Sequence, residues 1–302
     1  MNILVTGAVN LSDDFIQEIE SQGWIVDVLQ QESNVVSNPE KYDAVVCNGL
    51  FLHNPIESFS RLKVIHLTSA GLDRVPLEYI EQNGIKLFNA KGVYSSPMAE
   101  WAVACILNEY KHIPNFRQNQ QQSKWLKNRS LRELDGKNVA IIGAGSVGGE
   151  VAKRLDAFDA QIIGYDIFSS PRPHFSYIRE ISEFKPDNFD IIILTVPLTS
   201  QTRHLIKKDT ILSMKNDSIL INMSRGALVD ENALIEALNI RTDIVAILDV
   251  FEQEPLNEDS LLWRMSNVRI SPHNSFVGEF NSSRLHDLIL NNLSTIIHSI
   301  GL

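Results

Sequence analysis

Short apolar, β-branched runs alternate along the chain with stretches in which apolar residues recur every three or four positions. In the first part, the runs Asn2 to Thr6, Ile25 to Leu29, Asp43 to Cys47, Lys63 to Leu67 and Lys86 to Phe88 predict strands. After the first of these, Ser12 offers a helix N-cap, Asp13 and Asp14 complement the helix dipole, and Phe15, Ile16 and Ile19 form an apolar stripe. A second series begins near residue 138: Asn138 to Ile142, Gln161 to Tyr165, Asp190 to Thr195, Ser218 to Asn222, Ile244 to Val250 and Val268 to Ser271. The unbroken Ile191-Ile192-Ile193-Leu194 suits a strand buried on both faces. Asp230 caps a helix from Glu231 to Leu238. Alternation of this kind predicts an α/β fold with two doubly wound parallel-sheet domains.

Between the two series, Ser96 as N-cap and Pro97 at the first helical position start a helix that runs to about Lys111. The polar tract Gln118 to Gln122 reads either as a partner-binding segment or as a solvated helix face or arm. Past residue 279, the spacing of Leu285, Leu288, Ile289, Leu293, Ile296 and Ile297 predicts a closing amphipathic helix. Packed back across the first domain, it makes that domain discontinuous: residues 1–97 completed by 279–302, with 98–278 between them.

The 302 residues fit two domains at roughly 150 residues each. Lys plus Arg number 27 against 37 for Asp plus Glu, a formal charge of −10, which disfavours binding to nucleic acid or an anionic membrane. Cys47 and Cys105 belong to no CxxC or Cys/His cluster, so two buried thiols in a reducing compartment are expected. The N-terminus has no signal-peptide pattern, and no apolar run nears the ~20 residues that span a bilayer. A soluble cytoplasmic protein is expected. No HExxH, cysteine cluster or calcium-loop spacing implies a metal.

Gly143-Ala144-Gly145-Ser146-Val147-Gly148 follows the strand ending at Ile142 and opens a helix from about Ser146 to Ala157. In that context GxGxxG is a dinucleotide signal. Gly143 permits the tight turn, Gly145 lets a pyrophosphate approach, and Gly148 lets helix and strand pack closely. The next strand ends at Asp166, where a carboxylate accepts from ribose hydroxyls and repels a 2′-phosphate. NAD (NADH) is therefore expected over NADP, with Arg172 as a nearby cation that would soften the preference. Gly7, with no further glycine until Gly23, builds no second phosphate loop. Arg225, beyond the strand ending at Asn222, presents a planar fork suited to a substrate carboxylate. His273, after Pro272 at the end of the last strand, is placed to give or take a proton. The other histidines, His53, His66, His112, His174, His204, His286 and His298, read as packed or surface residues.

From about residue 90 the order of motifs resembles the D-isomer-specific 2-hydroxyacid dehydrogenase family. The residues that carry it are Gly92-Val93-Tyr94, Met98-Ala99-Glu100, Trp125, Leu134-Asp135-Gly136-Lys137 and the glycine loop. Val196-Pro197-Leu198-Thr199, Thr202, Asn222-Met223-Ser224-Arg225-Gly226, Val229-Asp230 and Leu248-Asp249-Val250-Phe251 follow. Glu254-Pro255-Leu256 and Pro272-His273 complete the series, and upstream Ser69-Ala70-Gly71-Leu72-Asp73 fits the family's substrate loop. The resemblance implies a flavodoxin-like substrate domain and an inserted Rossmann NAD domain. It implies an enzyme interconverting a small D-2-hydroxy acid and its 2-oxo acid, as a homodimer joined through the nucleotide domain.

The resemblance also assigns roles. Glu254 becomes the carboxylate partner of His273, with Arg225 completing the catalytic set. Ser146, Val147, Pro197, Thr202 and Met223 line the cofactor, and Asp249 accepts from the nicotinamide carboxamide. Ser69, Ala70 and Gly71 offer amides to the substrate carboxylate. Tyr94, with Leu50 and Phe51, forms either an apolar side-chain pocket or core. Phe276, three residues past His273, is bulkier than the family's usual small residue and changes the nicotinamide edge. The segment Asn48-Gly49-Leu50-Phe51 carries none of the cations a phosphorylated substrate calls for. Formate oxidation is disfavoured, because that branch pairs its histidine with Gln. A NAD-sensing regulator or corepressor, or a phosphite-type dehydrogenase, on the same scaffold is the alternative.

Overall fold

The computed structural model describes residues 1–300, with side chains to 296. The chain divides into two compact domains, Met1–Tyr94 with Gly278–Leu302, and Ser95–Val277. In the first, β1 (Asn2–Thr6), α1 (Asp13–Ser21), β2 (Ile25–Leu29), β3 (Ala44–Cys47), β4 (Val64–Leu67), α2 (Leu77–Gln82) and β5 (Lys86–Phe88) follow in order. The sheet is wholly parallel with order β2-β1-β3-β4-β5, so the chain reverses its progress between β1 and β3. Ser12 caps α1 as its sequence position suggests, its Oγ accepting from Phe15 N at 3.3 Å.

The second domain opens with α3 (Ser95–Tyr110) and α4 (Ile113–Gln121). The helix begins one residue before the expected cap, because Ser96 spends its hydroxyl on Glu100 Oε1 inside the first turn, at 3.2 Å. The first domain boundary, at 94/95, follows the start of α3 and lies three residues ahead of the sequence-based division at 97/98, and the second, at 277/278, lies one residue ahead of 278/279. The glutamine tract is the exposed end of α4, a helix with no buried residue. Then come β6 (Asn138–Ile142), α5 (Ser146–Asp156), β7 (Gln161–Asp166), β8 (Tyr177–Glu180), β9 (Ile191–Leu194) and α6 (Lys208–Leu212). Next are β10 (Ile219–Asn222), α7 (Glu231–Ile240), β11 (Val245–Leu248) and β12 (Val268–Ile270). Their order β12-β11-β10-β9-β6-β7-β8, all parallel, is a doubly wound Rossmann sheet whose reversal lies between β6 and β9. The four residues of β9 are completely buried, as an unbroken apolar strand between two helical layers requires.

The last helix, α8 (Asn281–Ile300), belongs to the first domain. Leu285, Ile289, Leu293 and Ile296 join Ile3, Val5, Phe15, Ile19 and Trp24 in one core. Ile297, expected on the same stripe, and His298 lie outside the residues whose side chains are described. Asn292 of α8 reaches β4, where its amide donates to Nε2 of the fully buried His66 at 3.0 Å. The other ring nitrogen, Nδ1, donates to Leu67 O at 3.1 Å, so the neutral ring is fully satisfied. Burial holds its pKa down at about 4. Among the described residues no helix is long and apolar enough to cross a membrane.

Candidate active site

The glycine loop stands at the sheet reversal, between the ends of β6 and β9. Gly143 has φ +106°, and a Cβ there would lie 2.8 Å from the Thr195–Val196 peptide beyond β9. At Gly148 a Cβ would meet Gly143 O at 2.0 Å, so only glycine lets α5 start this close to the strand. By contrast, a Cβ at Gly145 would meet nothing within 4 Å, and Gly145 caps α5 with no side-chain bond. The loop thus leaves an open approach at a helix N-terminus, where Ser146 and Val147 form the first turn, and these residues fit a dinucleotide pyrophosphate. Asp166 closes one side: its Oδ2 accepts from Ala144 N at 2.8 Å and its Oδ1 from Ile167 N at 2.7 Å. Arg172 donates to Ala144 O, so carboxylate and guanidinium hold the two ends of a single glycine-loop residue. Thr202 Oγ1 donates to Pro197 O at 2.7 Å, which brings those two residues together in one turn after β9. Met223 is buried at the end of β10.

Arg225 follows β10 on a loop stapled from within. Asn222 Nδ2 donates to Arg225 O at 2.9 Å, Ser224 N donates to Asn222 Oδ1 at 3.3 Å, and Ser224 Oγ donates to Val196 O at 2.5 Å. Gly226 then presses on the segment after β11: a Cβ on it would lie 1.8 Å from the Phe251 carbonyl carbon. That segment and the start of α7 exchange carboxylate bonds. Glu231 N donates to Glu252 Oε1 at 3.1 Å, and Glu252 N donates to Glu231 Oε2 at 3.2 Å. Burial, then the charge of Glu252, raises the Glu231 pKa.

His273 Nδ1 lies 2.7 Å from Glu254 Oε2, and Glu254 Oε1 accepts from Phe251 N at 3.0 Å. A carboxylate only accepts, so Nδ1 carries a proton and the exchangeable site of the ring is Nε2. His273 sits in the left-handed region with φ +50°, its amide donating to Asp249 O at 2.7 Å. Phe276 meets the imidazole edge-on, with ring centroids 5.7 Å apart. Sequence reasoning sends Asp249 to the nicotinamide carboxamide, and the structure shows what its carboxylate holds within the chain. Asp249 is fully buried, and its carboxylate accepts from Ser271 Oγ at 2.5 Å, Asn274 N at 2.8 Å and Ser275 N at 2.9 Å. It ties down the segment that carries His273. Asn222, Ser271 and Asp249 are thus positioning residues that sequence reading missed in that capacity.

The expected substrate loop belongs to the first domain, after β4. Ser69 O accepts from Ala90 N at 2.9 Å, Ala70 O from Asn89 Nδ2 at 2.7 Å, and Gly71 O from Ser69 Oγ at 3.1 Å. All three carbonyl groups are therefore engaged within the domain. The Tyr94 hydroxyl donates to Thr68 O, just before that loop. Leu50 is fully buried and is core, whereas Phe51 borders a pocket of about 330 Å³ with Leu52, Pro55, Ile56 and Val75. Neither Leu50 nor Tyr94 lines it, and Leu50 takes the core alternative.

Fold and site together define a two-domain dinucleotide-binding α/β protein. Residues 103–275 match the NAD-binding domain of D-isomer specific 2-hydroxyacid dehydrogenases, and the chain belongs to that family. It is 32% identical over 280 residues to D-3-phosphoglycerate dehydrogenase of Archaeoglobus fulgidus, a match covering 90% of this chain and 53% of that protein. It is 37% identical over 224 residues to hydroxypyruvate reductase of Thermotoga maritima, covering 72% of each. The chain spans about half the length of the phosphoglycerate dehydrogenases it matches, 53% and 42%. A D-isomer specific 2-hydroxyacid dehydrogenase from Xanthobacter autotrophicus Py2, solved with NADPH and MES, superposes with a TM-score of 0.80 at 25% identity. That match covers 99% of this chain and 95% of the other.

Proposed function

We propose that the protein interconverts a small D-2-hydroxy acid and its 2-oxo acid, with His273 as acid–base, Glu254 as its partner and Arg225 as carboxylate clamp. The observation that carries this reading is the 2.7 Å His273–Glu254 pair, on the segment that Asp249 holds to β11. The nicotinamide cofactor supplies or accepts the hydride. With Nδ1 committed to Glu254, the Nε2 proton of the imidazolium is delivered to the 2-oxo oxygen, and the neutral ring takes it back in the reverse direction. The Glu254 charge stabilises the imidazolium and fixes its tautomer. Arg225 binds the substrate carboxylate through paired hydrogen bonds and draws electron density from the adjacent carbonyl. In the first domain, the amides of the Ser69–Gly71 loop are suited to a substrate carboxylate. Asp166 favours NADH over NADPH, as a carboxylate disfavours a 2′-phosphate.

A cytoplasmic homodimer is part of the same reading. Trp125 and Leu126, 91% and 60% exposed beyond α4, offer an apolar surface for a second copy, and both cysteines are unpaired. Absorbance in the NADH band with a panel of 2-oxo acids tests the activity. Oxidation of NADH by at least one small 2-oxo acid is expected, and no turnover with any of them would overturn the reading. Sedimentation tests the assembly, with a 34.0 kDa species counting against it.

A further inference from the structure

One carboxylate outside the His273 site is held in an unusual way. Beyond β3, the amides of two consecutive residues converge on a single side chain. Asn48 N donates to Glu32 Oε1 at 2.7 Å, and Gly49 N donates to Glu32 Oε2 at 2.6 Å. Thr6 Oγ1, at the end of β1, donates to the same Oε1 at 2.8 Å. Successive amides joined by a hydroxyl make an anion site. The strands β1 and β3 are those between which the first sheet reverses, and the crevice at the carboxyl ends of such strands is where open α/β sheets take ligands. Here the anion is supplied by the chain itself, from the segment after β2.

We propose that Glu32 is a built-in anion that fills this site and sets the substrate class. Single-anion 2-oxo acids are accepted, and those with a phosphoryl or second carboxyl group at the far end are rejected. This rests on the reading that the Ser69–Gly71 loop receives the substrate's own carboxylate. That loop follows β4, the direct neighbour of β3, and parallel neighbours lie about 5 Å apart. A substituent reaching along the strand ends from the Ser69 loop towards β3 meets the negative charge of Glu32 and finds the donors of Asn48, Gly49 and Thr6 already used. Discrimination then comes from a repulsive element, with no contact to the accepted substrate.

Two variants of the intact protein test this. Glu32→Ala frees three donors, so inorganic phosphate should raise its melting temperature beyond any rise seen in wild type at equal ionic strength. Glu32→Gln keeps the shape and removes the charge. Its kcat/KM for 3-phosphonooxy-2-oxopropanoate, relative to 3-hydroxy-2-oxopropanoate, should increase about tenfold or more over the wild-type ratio. An unchanged ratio, or a wild type that prefers the phosphorylated acid, overturns the specificity role. An Ala variant that folds and responds to phosphate no more than wild type overturns the anion site. Should the Ala variant not fold, the Gln ratio decides alone. A wild type that reduces no 2-oxo acid refutes the reading of activity and with it the specificity role, and the phosphate response then decides the anion site by itself.

Discussion

Gly226→Ala tests whether the Arg225 loop and the Glu254–His273 segment behave as one mechanical body. The added Cβ would stand 1.8 Å from the Phe251 carbonyl carbon, 2.0 Å from its oxygen and 2.3 Å from Glu252 N. Carbon atoms in ordinary contact are about 3.5 Å apart or more, so the two segments must separate by roughly 1.7 Å. Every atom in the way is main chain, and no side-chain rotation relieves the clash. Phe251 N also holds Glu254 Oε1 at 3.0 Å, so the displacement passes directly to the partner of His273. Overpacking of this kind costs about 1–3 kcal/mol, which lowers the melting temperature of a domain this size by roughly 2–12 °C. Misplacing a reacting group by about 1 Å costs on the order of a hundredfold in rate. The expected result is a loss of about a hundredfold in kcat/KM for 2-oxo acid reduction, with NADH affinity kept within about threefold. The cofactor loop after β6 is built on other strands, so it should be spared. Stopped-flow turnover, fluorescence titration with NADH and thermal melts give the three numbers. A variant with wild-type kcat/KM and a melting temperature within about 1 °C of the parent would refute the coupling.

His273→Ala should cut kcat by about 10²–10⁴-fold while NADH titration stays near wild type, because the imidazole acts only in the chemical step. NADH should bind more tightly than NADPH by fluorescence titration, and Asp166→Ala should narrow the gap; a wild type that prefers NADPH would shift attention to Arg172. His66 gives a pH dependence whose sign follows from its pKa of about 4 in the folded state. Between about 6.5 and 4 the unfolded chain binds a proton that the folded chain refuses, so stability falls as pH drops through that window, by up to about 3 kcal/mol. Urea midpoints at both ends of the window check this, and His66→Gln should flatten the slope.

The doubly wound plan was readable because strands buried on both faces leave unbroken apolar runs, as at Ile191 to Leu194 and Ile219 to Ile221. β8 left no such trace: in Tyr177-Ile178-Arg179-Glu180 only Ile178 is buried, at the edge of the sheet. The short helices α2 and α6 were also invisible, since five or six residues show too little of a 3.6-residue period. The tight turn at Gly143 and the close packing at Gly148 could be read, because their chemistry is local. The anchoring role of Asp249 could not. A carboxylate at a strand end gives no sign in the sequence that Asn274 N and Ser275 N fold back onto it. Gly226 stood in a motif, but its contact with Phe251 spans 25 residues of chain and is a tertiary fact.

The first domain is built from both ends of the chain, and this governs the order in which a ribosome can complete the protein. Residues 1–94 emerge first, yet the face formed by Ile3, Val5, Phe15 and Trp24 is not covered until Leu285, Ile289 and Leu293 have been made. At about 5–20 residues per second, the roughly 200 residues in between take on the order of 10–40 s to synthesise. The middle domain is continuous in sequence and can close during that interval. The nascent chain therefore carries a complete sheet with one apolar face still waiting for α8 throughout the folding of its neighbour, the window in which holding chaperones and premature aggregation compete for it.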